Sequence, residues 1–308
     1  MRNQHKQVVR MKVLLSLMLI LLLFILSGCS QTNQDKDLTG VMWRIEKNGT
    51  TMYLLGSIHF TKDTMYPLND KIIEAFSSSD ETYYEIDFNK KISNEEWLEI
   101  NENAMLDQSY SINELLSIED YNLLDESFKG VGIDITSLHK YKPMYLFMLY
   151  SSQLLTQNFS SDLPVDVFLY NTAVEENKGI NELEGIRLQY DILYNLSLDL
   201  QIELLMDSLN SEEFIEQANK QLDDWSKGDF DQLESDFGKF KIDNEILDKE
   251  YKEKMLYKRN ENIVAKLVEI LDSNDEKTHF VTIGIGHMMG DKNVIELLKE
   301  LGYQVNQF

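Results

Sequence analysis

The 308-residue chain carries 53 acidic and 29 basic residues, which gives a formal net charge of −24 at pH 7. A surface this acidic repels nucleic-acid phosphates and anionic lipid headgroups, so we expect neither a nucleic-acid-binding protein nor electrostatic attachment to a membrane. With 43% apolar residues and only three prolines, the chain can bury one large core or two small ones.

The N-terminus has the features of an export signal. Basic residues precede an apolar run from Val13 to Leu26, and two small residues stand before Cys29. The run is short for a membrane span, and this pattern resembles a bacterial lipoprotein signal. We predict a signal peptide over residues 1–28, attachment of palmitate or a similar acyl chain at Cys29, and a position on the extracytoplasmic face of the cell membrane. An uncleaved anchor helix is the alternative. Cys29 is the only cysteine, so no other thiol can bind a metal or form a disulfide.

Residues 29–40 are polar and predict a tether, followed by a folded domain over 41–308. Met42–Lys47, the pair Asn48-Gly49 and Thr50–Leu55 predict a hairpin with a tight two-residue turn.

Pro67-Leu68-Asn69 predicts a capped helix, and Thr82–Phe88 predicts a strand. From about 92 to 160 the apolar residues recur at helical spacing, with Pro143 opening a long helix, so this stretch predicts a helical insert.

Leu163-Pro164 opens another predicted helix, and Ile180–Glu184 predicts a short strand. Residues from about 187 to 273 are acidic and helical in pattern. The chain then closes with a strand over 279–284, a helix near Lys292–Glu300 and a last strand around 303–305.

Two motifs of the same form stand near opposite ends of this domain, Gly56-Ser57-Ile58-His59 and Gly284-Ile285-Gly286-His287. Each closes a predicted strand, and glycine permits a tight turn just before the imidazole. Binding sites collect at the carboxyl ends of strands in sheets with helical crossovers, so His59 and His287 are predicted to meet there and share a metal or a substrate.

These motifs, together with Tyr66-Pro67-Leu68, Glu85-Ile86-Asp87 and Arg259-Asn260-Glu261, resemble the TraB/GumN family, which includes the Tiki membrane proteases and is related to ChaN-type lipoproteins. Pro164 replaces a family glycine, and Ser57 stands where threonine is commoner. The resemblance implies an α/β fold with a mixed β-sheet core flanked by helices and large helical insertions. It also implies an active site with the two histidines and a glutamate, and a divalent-metal peptidase activity.

Several carboxylates are predicted near strand ends. Glu85 is a candidate metal ligand, or the base that takes a proton from water. Glu182 and Glu184 point to one side of their predicted strand, which makes both weaker candidates. Asp87 and Asp166 are candidate partners that hold the histidines in one tautomer.

Arg259 is a candidate clamp for a substrate carboxylate or an oxyanion, and Asn260 is a candidate orienting group. A salt bridge on the surface is the alternative for Arg259. His139 and His279 lack a motif and are predicted to be structural or exposed. Histidine and carboxylate ligands without a thiolate suit Mn, Co, Fe or Zn, among which the sequence does not choose.

The leading hypothesis is therefore a lipid-anchored, metal-dependent hydrolase that cuts an extracytoplasmic peptide. A non-catalytic lipoprotein that binds a peptide, another small molecule, haem or a metal is the first alternative. In a second alternative the histidine motifs are structural and the helical insert is an interaction surface. No H-E-x-x-H, G-x-S-x-G, P-loop or dinucleotide motif is present, which argues against the common zinc proteases, serine hydrolases and nucleotide enzymes.

Overall fold

A six-stranded mixed β-sheet organises residues 40–159 and 164–308, the parts of the chain that the computed structural model describes. The order of the strands across the sheet is β4-β3-β5-β2-β1-β6, which confirms the predicted α/β fold. The predicted signal peptide, Cys29 and the tether up to residue 39 lie outside the described residues. The strands are β1 (Val41–Lys47), β2 (Thr50–Ser57), β3 (Glu81–Tyr84), β4 (Gly179–Glu182), β5 (Thr278–Gly284) and β6 (Val305–Gln307).

The first two strands form the predicted hairpin. They pair antiparallel from Val41 opposite Gly56 to Lys47 opposite Thr50. The two turn residues have positive φ, 51° at Asn48 and 92° at Gly49. Positive φ at both central positions is what a tight hairpin turn requires.

The other half of the sheet is parallel and positions the strand ends. β2 pairs with β5, β5 with β3, and β3 with β4, all in parallel. Phe280, Val281, Thr282 and Ile283 of β5 are buried one after another, because helices cover both faces of a central parallel strand. The carboxyl ends of these strands therefore share one edge of the sheet.

Helices make up most of the rest, and their caps follow the sequence. The Asn69 side chain accepts a hydrogen bond from the Lys71 amide, and Pro143 occupies the first turn of its helix. The α-helices are α1 (Asp70–Ser77), α2 (Asn94–Asn103), α3 (Ile112–Leu115), α4 (Ile118–Gly130), α5 (Pro143–Asn158), α6 (Val165–Glu175), α7 (Ile186–Tyr194), α8 (Leu198–Ser208), α9 (Ser211–Lys227), α10 (Phe230–Phe237), α11 (Glu245–Tyr251), α12 (Lys258–Leu271) and α13 (Val294–Glu300).

Two apolar cores hold these elements. One lies around the sheet and includes Leu54, Phe280 and Trp225. The other lies among helices of the predicted insert and of the later helical region, and includes Phe128 and Leu200. Among the helices within the described residues, none has the length and apolar character needed to cross a membrane.

Two strands are shorter than the sequence predicts. β3 ends at Tyr84 and not at Phe88, and β4 ends at Glu182 and not at Glu184. Beyond Tyr84 and Glu182 the regular pairing of the two strands stops. The amides of Glu184 and Gly185 both donate to the Glu85 carbonyl, and the chain turns at Gly185 with a φ of 100°. Glu85 and Glu184 therefore lie just past the ends of their strands, where their side chains no longer follow the alternation of the sheet.

Candidate active site

Three adjacent parallel strands bring distant parts of the sequence to one edge of the sheet. His59 lies two residues after β2, Glu85 directly follows β3, and His287 lies in the 3₁₀ turn Ile285–Met288 that follows β5. In the register of the sheet, Ser57 pairs with Gly284, so the two histidine motifs end side by side.

Gly284 lies at the centre of this group. A methyl group on its Cα would be 3.2 Å from Glu85 Oε1, 3.8 Å from His59 Nε2 and 4.0 Å from His287 Cδ2. Neither Gly284 nor Gly56 has a positive φ, so the expectation that these glycines serve a tight turn is wrong. Gly284 leaves room for the three side chains, while at Gly56 a methyl group would overlap Ile285 Cδ1.

The Glu85 carboxylate has a hydrogen-bond donor on each oxygen. Oε1 accepts from the Gly284 amide at 2.6 Å and lies 3.7 Å from His287 Nε2. Oε2 accepts from Arg259 Nη2 at 3.0 Å and from Gln189 Nε2 at 2.8 Å. Burial on its own raises the pKa of Glu85, but the charges of Arg259 and His59 and the Gly284 amide oppose it, and the pKa lies below its ordinary value. Glu85 is therefore a carboxylate at any physiological pH.

Arg259 joins Glu85 to a second buried carboxylate, Glu184. Its Nε and Nη2 donate to the two oxygens of Glu184 at 2.8 and 2.5 Å, and Gln189 adds a bond of 3.1 Å to Glu184 Oε2. The side chains of Arg259 and Glu184 are only 13% and 2% exposed. The alternative of a surface salt bridge for Arg259 is therefore wrong. The guanidinium is engaged with two carboxylates of the chain itself, Glu85 and Glu184, and its role as a clamp for substrate stays a prediction.

His287 is buried and held by its neighbour in the predicted pair, Asn260. Asn260 Nδ2 donates to the Lys292 carbonyl at 3.0 Å, so its Oδ1 faces His287 Nδ1, 2.6 Å away. This arrangement assigns the ring proton to Nδ1 and leaves a lone pair on Nε2. Burial, the largest cause, lowers the pKa of His287, so the ring is a neutral imidazole that can bind a metal.

His59 is more open to solvent, with a side chain that is 65% exposed. Its Nδ1 lies 3.2 Å from Asp166 Oδ2, near the start of α6. The Asp166 carboxylate is the main cause that raises the pKa of His59 above its ordinary value. Nε2, on the other side of the ring, is the nitrogen closer to Gly284.

A cavity of about 210 Å³ opens beside these groups, and we call it the sheet-edge cavity. It is large enough for several water molecules or one amino-acid side chain. Its walls combine charged, amide and hydroxyl side chains with apolar ones, and include His59, Glu85, Gln189, Ser57, Thr282 and Phe88.

Comparison with known proteins shows the family to which the chain belongs. The profile of the TraB/PrgY/gumN family matches residues 41–307, nearly the whole described part of the chain. This chain belongs to the TraB/PrgY/gumN family. The predicted resemblance is confirmed, and it extends through the helical regions in which the motifs gave no match.

Curated relatives of this TraB-family chain are named metalloproteases. The chain is 22% identical to Metalloprotease TIKI2 of Xenopus tropicalis, over 90% of its own length and 61% of the relative's. It is 22% identical to the human Metalloprotease TIKI1, over 91% and 64%, and 26% identical to the Metalloprotease TIKI homolog of Amphimedon queenslandica, over 64% and 41%. The chain thus spans about three fifths of the length of the first two. No solved structure matches it.

The site contains a group of side chains that could hold a divalent metal. Within the described residues, ligand atoms of Glu85, Glu184 and His287 lie within 4.8 Å of one another. The predicted set of His59, His287 and Glu85 differs from this group by one residue. Both oxygens of Glu184 are already bonded to Arg259, whereas Nε2 of each histidine has no hydrogen bond within the described residues. The donors are imidazole nitrogens and carboxylate oxygens, which fit Mn, Co, Fe or Zn.

Asp166, Asp87 and Glu182 lie outside this group, and of the three only Asp166 contacts a candidate histidine within the described residues. Asp87 accepts hydrogen bonds from the Tyr170 hydroxyl and the Asn89 amide. Glu182 accepts from the Asp87 amide at 3.0 Å and from Lys90. The prediction that Asp87 orients a histidine is therefore wrong, because Asn260 and Asp166 make those contacts. Glu182 and Glu184 also diverge, because the strand ends between them.

Gln189 is a site residue that the sequence did not predict. It lies on α7 and bridges Glu85 and Glu184. No motif marks a glutamine of a helix as part of a site, so only its contacts identify it. His139 and His279 lie away from the site, next to Tyr121 and Asp275.

Proposed function

We propose that this TraB-family chain is a metal-dependent peptidase that cuts an extracytoplasmic peptide. The convergence of two imidazoles and an ionised glutamate on Gly284, beside a cavity, carries the proposal. The names of the relatives support the same reaction class.

In this proposal His59 and His287, through Nε2, and Glu85, through a carboxylate oxygen, would hold the metal. A bound divalent ion would supply a Lewis acid and a lowered pKa of water. The low pKa of Glu85 favours the role of ligand over that of base, because an efficient general base has a pKa near the working pH.

The neighbouring residues position these ligands. Asn260 fixes the tautomer of His287, and Asp166 orients the ring of His59. Arg259 keeps Glu85 ionised and, with Gln189, fixes its rotamer. Arg259 and Asn260 are therefore positioning residues in this proposal.

The test is hydrolysis of a defined peptide mixture by the full-length protein in detergent, with Mn, Co, Fe or Zn added, and with new peptide termini read by mass spectrometry. New termini are expected with the wild type and with His139→Gln, a histidine variant away from the site. They are expected to disappear in folded His287→Ala and Glu85→Gln. Stoichiometric capture of peptide without new termini favours a binding lipoprotein instead, and equal cleavage by all variants overturns the proposal.

We also propose that the chain is exported and held at the membrane by an acyl chain on Cys29. The basic N-terminus, the apolar run and the small residues before Cys29 support this, and the acidic surface gives no other means of attachment to an anionic membrane. Labelling of cells with a palmitate analogue is expected to mark the wild type in the membrane fraction and not Cys29→Ala. Equal labelling of Cys29→Ala contradicts the proposal.

A further inference from the structure

Within the described residues, three side chains of the sheet-edge cavity wall have a buried hydroxyl without a hydrogen-bond partner, those of Ser57, Thr282 and Tyr84. Ser57 and Thr282 line the cavity and are only 2% and 1% exposed. Within the described residues, neither Ser57 Oγ nor Thr282 Oγ1 has a hydrogen-bond partner.

The register of the sheet places both hydroxyls behind the candidate metal ligands. Ser57 pairs with Gly284, the residue around which the ligands gather. Thr282 comes two residues earlier on the same strand, so its side chain is on the same face and about 7 Å deeper along the strand. It pairs with Tyr84, which also lines the cavity. The two hydroxyls therefore lie along one wall of the cavity, with Ser57 beside the candidate ligands and Thr282 deeper along the strand.

Two buried hydroxyls near the sheet that do not line the cavity are satisfied. Thr82 donates to the Gly179 carbonyl at 2.8 Å, and Ser79 donates to the Phe76 carbonyl at 2.6 Å. A buried hydroxyl without a partner is costly, and most such groups in proteins have one. Ser57 and Thr282 lack one where the chain borders a cavity, so the partner of each is expected to come from the cavity's contents.

We propose that Ser57 and Thr282 form a subsite for a neutral polar side chain, a hydroxyl or a carboxamide, of the peptide residue next to the cleaved bond. A hydroxyl both donates and accepts and carries no charge, so it matches serine, threonine, asparagine or glutamine. Glu85 and Asp166 disfavour an acidic side chain, and their charges are already compensated by Arg259 and His59. This inference rests on the proposed function for its substrate class.

The test measures binding, so that it is independent of cleavage. The probes are N-acetyl amides of Ser, Thr, Asn and Gln, each compared with its apolar counterpart of similar shape, Ala, Val, Leu and Met. Affinities are measured by ligand-detected NMR with the full-length protein in detergent. The variants are Ser57→Ala/Thr282→Val, which removes both hydroxyls, and Ser57→Thr/Thr282→Ser, which keeps them. Ser151→Ala is the matched control, because Ser151 Oγ is also buried without a partner but does not line the sheet-edge cavity.

At least one polar probe is expected to bind the wild type more tightly than its apolar counterpart. Each neutral hydrogen bond accounts for roughly two- to tenfold in affinity. Loss of both hydroxyls is therefore expected to weaken that probe at least fivefold, without changing the apolar counterpart. The hydroxyl-keeping variant and Ser151→Ala are expected to behave as the wild type.

Equal binding of polar and apolar probes by the wild type overturns the subsite, as does the absence of binding by any polar probe. An unchanged preference in the variant without hydroxyls also overturns it. The proposed peptidase function can fail separately. In that case the peptide mixture gives no new termini, while the preference for the polar probe and its loss in the variant without hydroxyls are still observed.

Discussion

Replacing Gly284 by alanine adds one methyl group at the point where the candidate ligands meet. The new Cβ would lie 3.2 Å from Glu85 Oε1, so the carboxylate must retreat by a few tenths of an ångström. Misplacement by 1 Å of a group that takes part in a reaction costs about a hundredfold in rate. We therefore expect Gly284→Ala to lower metal affinity and peptide cleavage by about three- to tenfold.

The same change is expected to leave the fold intact. Gly284 has a φ of −55°, which alanine adopts without strain, and Gly→Ala at such a position stabilises by about 0.4–1 kcal/mol through the unfolded chain. Metal affinity is measured by competition with a chromogenic chelator, and stability by thermal unfolding in the presence of chelator.

Gly286→Ala is the matched control, since a methyl group there would meet no atom within 4 Å. It adds the same methyl group to the same motif and is expected to bind metal as the wild type does. Wild-type metal affinity in Gly284→Ala, or an equal loss of metal affinity in Gly286→Ala, refutes the explanation that the missing side chain of Gly284 leaves room for the ligands.

Three further changes test the packing and the charges around the site. Gly56→Ala is expected to lower the free energy of unfolding in urea by about 1–3 kcal/mol, because its methyl group overlaps Ile285 Cδ1; adding Ile285→Val, which removes that atom, should recover part of the loss, and simple additivity contradicts this. Arg259→Met leaves two buried carboxylates without their cation and is expected to cost about 3–5 kcal/mol in the same assay, partly recovered by adding Glu184→Gln. No loss in the single variant contradicts the ion-pair account. Burial is the largest cause that raises the pKa of Asp224, whose Oδ2 has no partner within the described residues. A raised pKa means that this group's contribution to stability is complete below its unfolded pKa of about 4 and is lost as the pH rises through the folded value. Asp224→Asn is therefore expected to gain about 1 kcal/mol over the wild type at pH 7–8 and nothing at pH 3, and a gain that persists at pH 3 contradicts this.

The hairpin and the strand-end histidines could be predicted because their signals are local. Asn48-Gly49 defines a tight turn by its own backbone, and an apolar run that stops at glycine marks the end of a strand. That the two histidine motifs meet depends on β2 and β5 being neighbours in the sheet. The repeated motif suggested this pairing, but the strand order itself is a property of the whole fold.

The contacts of the residues around the ligands could not be predicted in the same way. Arg259 and Asn260 are candidates through their motif and Gln189 has no motif, but all three lie on helices whose sequence pattern is that of ordinary charged helices. Their contacts depend on how those helices pack. The sequence also predicts the ends of β3 and β4 too late in the chain. Polar residues continue the strand pattern past Tyr84, whereas the actual end is fixed by two amides that share the Glu85 carbonyl.

His59 and His287 are proposed to hold a metal together, and elemental analysis tests this most directly. The full-length protein and its His59→Ala/His287→Ala variant are incubated with Mn, Co, Fe or Zn and separated from free metal, and folding of both is checked by circular dichroism. We predict about one equivalent of one of these metals in the wild type and none in the folded variant. Equal metal content in the two proteins, or none in either, would contradict the account.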